Sequence, residues 1–216
     1  LVTYTNVGAG VTAGWSSGAV VPVSATVSKV VFSNANPAAA AITVAAGAGD
    51  TVTVVTAAPV AGTAAITAVT GVLGVADGAG LIVDSAAHTI KTITVDAYAT
   101  ASTIGAGTAT TVLETLNLSN ADATVTMTVA DTAATLALNL EKVGTSAADA
   151  VLTITAAPPT LNVKSVGNNY VALTAAATET LNVSGTGALK ASANDLAALK
   201  TVKVTETAGL SLAAAV

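Results

Sequence analysis

The stretch "ETLNVSGTGALK", residues 179–190, decides the fold. Its Thr-Leu-Asn-Val alternates aliphatic and polar residues, the period-two pattern of a strand with one buried face. Its Ser-Gly-Thr-Gly is turn chemistry, and Ala-Leu-Lys starts a second alternation. The first half recurs as "KTITV" at Lys91, "ETLNL" at Glu114, "PTLNV" at Pro159 and "KTVKV" at Lys200. Successive copies are separated by 23, 45, 20 and 21 residues. "ATLALNL", residues 134–140, sits inside the long gap as a degenerate copy, so the period is about 21 residues from Lys91 onward.

Each period holds a second, weaker strand: "TVTMTVA" (124–130), "AVLTITA" (150–156), "YVALTAA" (170–176), "ALKASA" (188–193) and "GLSLAAA" (209–215). Two short strands and two turns in about 21 residues suit one coil of a parallel β-solenoid, with coils stacked about 4.8 Å apart. The expectation is therefore all-β, with a solenoid over residues 88–216. The Asn of the phrase either stands outward or stacks as an amide ladder inside; Lys203 at that place in the last copy favours outward. "SANDLAALKT", residues 192–201, reads as one short helical elbow, capped by Ser192 or Asn194 with Leu196 and Leu199 inward. The terminal "LSLAAAV" looks like an uncapped solenoid edge, predicted to be covered by another chain or by the remainder of a longer polypeptide.

Residues 1–87 lack the repeat. Strand-like runs at "LVTYT", "AVVPVSA", "KVVFSN", "AITVAA", "DTVTVVTA", "AAITAVTG" and "GLIVDS" are separated by Gly, Pro and Asn. Their number predicts an immunoglobulin-like β-sandwich with Trp15 and Phe32 as core anchors. More solenoid with irregular coils is the rival.

Composition supports the β reading and excludes several functions. Of 216 residues, 52% are hydrophobic, 9% charged and 2% aromatic, with a net charge of −5. Disorder needs the reverse balance. Val and Thr favour pleated surfaces because their χ1 is already restricted. No run of about 18 uninterrupted apolar residues proposes a transmembrane helix. A secretory signal pattern and an initiator Met are missing at Leu1, as expected of a processed chain or a segment of a longer one. All seven basic residues are scattered Lys, so no Arg-rich patch proposes a nucleic-acid surface. Without Cys, disulfides, thiolate metal sites and a Cys nucleophile are ruled out.

Chemistry-bearing patterns are sparse. His88 is the one His and has no catalytic context; no G-x-S-x-G or phosphate loop is present. The expectation is that the protein is not an enzyme. Calcium is the candidate ligand, since turns supply hard oxygen donors. Asp50, Asp77, Asp122 and Asp131 are the candidate ligands, and "GAGDTVTV" resembles half of a calcium-binding nonapeptide. Asp, Asn and Gly are also ordinary turn residues.

"LETLNLSN", "TETLNVSG" and "LAALKTVKVTET", with the Ala/Thr/Val/Gly composition, resemble bacterial surface-layer (S-layer) proteins. The similarity is to the RTX-type, Caulobacter-like paracrystalline proteins of Gram-negative bacteria, and covers mainly residues 88–216. It implies type I secretion, calcium-dependent folding, lattice assembly and attachment to lipopolysaccharide. The chain departs from that pattern in carrying no tandem nonapeptides. The expected function is a secreted, structural cell-surface protein: a self-assembling S-layer, extracellular lattice or filament subunit. Its expected partner is itself, with lipopolysaccharide or cell-wall glycan as candidate anchor. The alternative is a secreted adhesin or autotransporter-like β-solenoid binding module, which needs an exposed aromatic site built from Tyr4, Trp15, Phe32, Tyr98 or Tyr170. An enzyme on a β-helix would need a charged groove, and the absence of Arg argues against it.

Overall fold

The computed structural model describes residues 12–16, 20–22, 29–34, 42–45, 51–56, 65–67, 71–76, 81–83, 90–96, 102–104, 113–121, 126–129 and 134–213. Burial is described for 91–96, 104, 113–121, 126–129 and 134–213. The odd-numbered strands are β1 (Thr12–Ser16), β3 (Lys29–Asn34), β5 (Thr51–Thr56), β7 (Gly71–Ala76), β9 (Ile90–Asp96), β11 (Thr115–Ala121), β13 (Thr135–Val143), β15 (Thr160–Val166), β17 (Thr180–Gly185) and β19 (Thr201–Val204). The even-numbered strands are β2 (Val20–Pro22), β4 (Ile42–Ala45), β6 (Ala65–Thr67), β8 (Leu81–Val83), β10 (Ser102–Ile104), β12 (Thr126–Val129), β14 (Ala150–Ile154), β16 (Asn169–Thr174), β18 (Ala188–Asp195) and β20 (Gly209–Leu212). Odd strands form one sheet of ten and even strands another, each in sequence order. Neighbours pair in parallel, as in Thr160↔Thr180 and Thr180↔Thr201. Each coil thus lays one strand in each sheet, which is the expected β-solenoid.

Alternation places the core between the sheets. β17 reads polar-out, aliphatic-in: Leu181 and Val183 are buried while Thr180 and Asn182 are half-buried. The same columns run down the stack through Leu161 and Val163, then Leu136 and Leu138. From the other sheet, Met127, Leu152, Leu173 and Leu189 meet them. Aliphatic side chains fill the space between the sheets, and their burial supplies about 25 cal/mol per Å² of apolar area.

The degenerate copy at 134–140 has a structural meaning. Thr135 pairs with Thr160, but Ala137 pairs with Thr115. β13 therefore carries two overlapping phrases, "TLAL" in register with β15 and "ALNL" in register with β11. The slip between them is two residues, which keeps every side chain on its own face.

Two expectations change. The sandwich over 1–87 is not supported: β1 to β8 pair in parallel within the same two sheets, whereas a sandwich of that type is antiparallel. The connections between those strands lie outside the described residues. The helical elbow at 192–201 is replaced by the end of β18 and a turn closed by Leu199 N donating to Leu196 O (2.9 Å). Parallel pairing of Thr174 with Asp195 holds the backbone extended through Asp195, overriding the local helix signal. Leu196 is buried and Leu199 packs on the core, as the pattern required.

Candidate functional site

Three surface features are candidates: the outer face of the odd sheet, a groove on the even sheet, and the C-terminal edge.

The odd face is a set of in-register polar rows. Asn139 Nδ2 donates to Asn117 Oδ1 (2.7 Å), and Asn117 Nδ2 donates onward to Thr94 Oγ1 (2.9 Å). Asn182 Nδ2 donates to Asn162 Oδ1 (2.7 Å) in a second row. The Asn of the phrase is thus outward and also laddered: parallel in-register stacking makes identical amides neighbours, each donating to the one below. The two rows stand in different columns because of the slip in β13. Ser119 and Asn120 both donate to Asp96 Oδ1, at 2.6 and 2.7 Å. The charged residue heading the phrase bonds along the stack too: Lys91 to Glu114 (2.8 Å) and Lys200 to Glu179 (2.7 Å). These pairs are solvent-exposed, so each adds at most about 1 kcal/mol.

The turn residues of the opening stretch are set by the coil beneath. At Gly187 an added Cβ would lie 1.7 Å from Gly167 O. Gly185 has φ +107° and its Cβ would lie 2.2 Å from Ser165 O. Ser165 O accepts from Thr186 N and Gly187 N, at 3.0 and 3.1 Å. Beneath this corner, Asn169 is fully buried. Its Oδ1 accepts from Val143 N (2.9 Å) and its Nδ2 donates to Ser165 Oγ (2.8 Å), tying the β15–β16 coil to the coil of β13.

The groove on the even sheet is open, with a volume of about 700 Å³, beside the 145–149 turn. Its polar lining includes Asp149, Tyr170, Lys190 and Ser192. The Lys190 ammonium lies 5.1 Å from the Tyr170 ring centre, a cation–π contact. The Ser192 hydroxyl donates to the Asp149 carboxylate. The arrangement offers an aromatic face, one cation and one carboxylate.

At the C-terminal edge, β19 and β20 are the last strands of their sheets. Val202 and Val204 pair with the buried Leu181 and Val183, yet each is 44% exposed. Leu210 and Leu212 are partly buried against the core. Among the described residues no further strand covers the aliphatic columns beyond β19 and β20.

The sequence-expected calcium ligands Asp50, Asp77, Asp122 and Asp131 lie outside the described residues, as do His88, Tyr4 and Tyr98. Trp15 and Phe32 pair across β1 and β3. Among the described residues no group of three or more His, Asp or Glu could hold a metal ion, and no helix is long and apolar enough to cross a membrane. Sequence reasoning missed Asn169, because "VGNN" carried only a turn signal, and it missed the Asp149–Ser192 pair, which joins residues 43 apart.

Comparison with protein-family models, curated proteins and solved structures found no match.

Proposed function

We propose that the protein is a structural unit of an extracellular, cell-surface lattice or filament, in line with the surface-layer resemblance of its repeat phrase. The observation that carries this reading is the stack of in-register coils whose odd outer face is built from Thr, Asn and Ser rows. Such a face is rigid, because each residue is held by the coils on both sides, and it offers many weak hydrogen bonds. Weak contacts repeated along a surface sum through multivalency. With only 9% charged residues, copies repel one another little. Electron microscopy of the purified chain, with calcium and then with EDTA, tests this. Ordered sheets or filaments support it; monodisperse particles in both conditions refute it. Loss of order in EDTA alone would assign a calcium role to the turns holding Asp50, Asp77, Asp122 and Asp131.

The groove at Tyr170 favours a second reading, a binding module of the adhesin type, because it places an aromatic ring, Lys190 and Asp149 around one concavity. A glycan or peptide array in which Tyr170→Ala abolishes every positive signal, without assembly in the microscope, would favour it.

A further inference from the structure

We propose that the groove on the even sheet binds a neutral glycan chain lying along the solenoid axis, held by Asp149, Tyr170, Lys190 and Ser192. The inference deepens the binding-module reading and rests on it, since it names the class of ligand that groove takes.

Three observations carry it. First, the groove is assembled across coils. Asp149 directly precedes β14, Tyr170 and Ala172 belong to β16, and Lys190, Ser192 and Ala193 belong to β18. β14, β16 and β18 are neighbours in their sheet, so these side chains span two strand spacings, about 10 Å along the stack. A ligand that touches all of them crosses the strands. It is held by side chains, not by pairing with a strand edge.

Second, the polar groups are placed by departures from the plain repeat. Val171 pairs with Ala191 but Ala172 pairs with Ala193, so Ser192 is an extra residue. The bulge breaks the alternation, and Ser192 and Ala193 are both exposed. Bulges re-aim side chains, and this one delivers the Ser192 hydroxyl to the Asp149 carboxylate. Asp149 follows a turn closed by Thr145 N donating to Ala148 O (2.9 Å) and Ala148 N donating to Thr145 O (3.2 Å). Gly144, at φ +71°, sets that turn against Tyr170 O, where an added Cβ would collide. The groups are held in place by the fold itself, which lowers the ordering cost of binding.

Third, charge selects the ligand. Among the described residues the ion pairs are Lys91–Glu114 and Lys200–Glu179, so neither Asp149 nor Lys190 is in one. One carboxylate and one cation line the groove and sum to zero. The overall charge of −5 disfavours a polyanion, and a polycation finds a single carboxylate. A neutral polyol satisfies both groups at once, because its hydroxyls donate to Asp149 and accept from Lys190. The Tyr170 ring offers an apolar body to the C–H face of a sugar, and the short side chains of Ala172 and Ala193 leave room beside it.

The test uses the full 216-residue chain. An array of neutral oligosaccharides (glucans, mannans, galactans and N-acetylglucosamine chains), oligogalacturonates and peptides is probed, and each positive is titrated by calorimetry. Asp149→Asn, Lys190→Gln and Ser192→Ala alter the groove, Lys203→Gln on the odd sheet is the control, and thermal midpoints check folding. The expected result is a neutral oligosaccharide that binds the unaltered protein. Asp149→Asn is expected to weaken it about tenfold or more, as loss of a hydrogen bond to a charged group requires. Lys190→Gln and Ser192→Ala are expected to weaken it too, and Lys203→Gln to leave it unchanged. Binding of oligogalacturonates alone, or of peptides alone, that the groove variants abolish overturns the neutral-glycan assignment and leaves the binding-module reading standing. Glycan binding that survives all three groove variants places the ligand elsewhere and overturns the inference. A chain that binds no probe overturns both.

Discussion

Replacing Gly187 with Ala tests the coil stacking at its tightest point. The new Cβ would stand 1.7 Å from Gly167 O, 2.2 Å from Gly167 C and 2.5 Å from Gly167 N. All three are backbone atoms, so no side chain can swing away. The two coils must part at this corner by on the order of 1 Å, an overpacking cost of roughly 1–3 kcal/mol. That parting strains the bonds from Thr186 N and Gly187 N to Ser165 O, worth about 1 kcal/mol each. The summed expectation is a loss of about 3 kcal/mol. Gly167→Ala is the internal control. Its φ is +66°, but nothing lies within 4 Å of the added Cβ, so it costs only the left-handed backbone penalty of about 1–2 kcal/mol. Urea denaturation followed by far-ultraviolet circular dichroism measures both. Equal losses, or a Gly187→Ala variant as stable as the parent, would refute stacking of these two corners.

Other substitutions probe the remaining contacts. Asn169→Ala leaves Val143 N without its acceptor in a buried site and is expected to cost about 3 kcal/mol, read as a shift in the urea midpoint. Leu138→Ala, at 1% exposure in the centre of the column, is expected to cost roughly 2–5 kcal/mol by the same assay, with amide exchange quickening first in the coils on either side. Lys200→Ala breaks an ion pair whose partners are 69% and 49% exposed; its thermal midpoint should stay within about 2 °C of the parent.

Much of the solenoid was legible in local pattern, and its misreadings have physical causes. Strands β11 to β20 follow from the phrase and its weaker partner because aliphatic alternation and turn residues are local signals. β1 and β7 escaped because Gly14 and Gly74 interrupt the alternation in "TAGWS" and "GVLGVA". Strand direction is not written in such patterns. Seven short strands suit a sandwich and a solenoid alike, and only pairing of residues some twenty apart distinguishes them. The turn at Leu196–Leu199 shows tertiary pairing overriding helix propensity: the inward leucines were readable, the backbone that delivers them was not. For the amide ladders, an outward Asn was readable from Lys203 in the last copy. Its bonding required the register of neighbouring coils, including the two-residue slip in β13.

Helical reconstruction of assemblies of the purified chain by cryo-electron microscopy bears most directly on the central claim. Two parallel sheets of ten strands predict rungs about 4.8 Å apart along each protomer, ten per sheet. Assemblies whose protomers show no such rungs, or whose neighbouring strands run antiparallel, would contradict it.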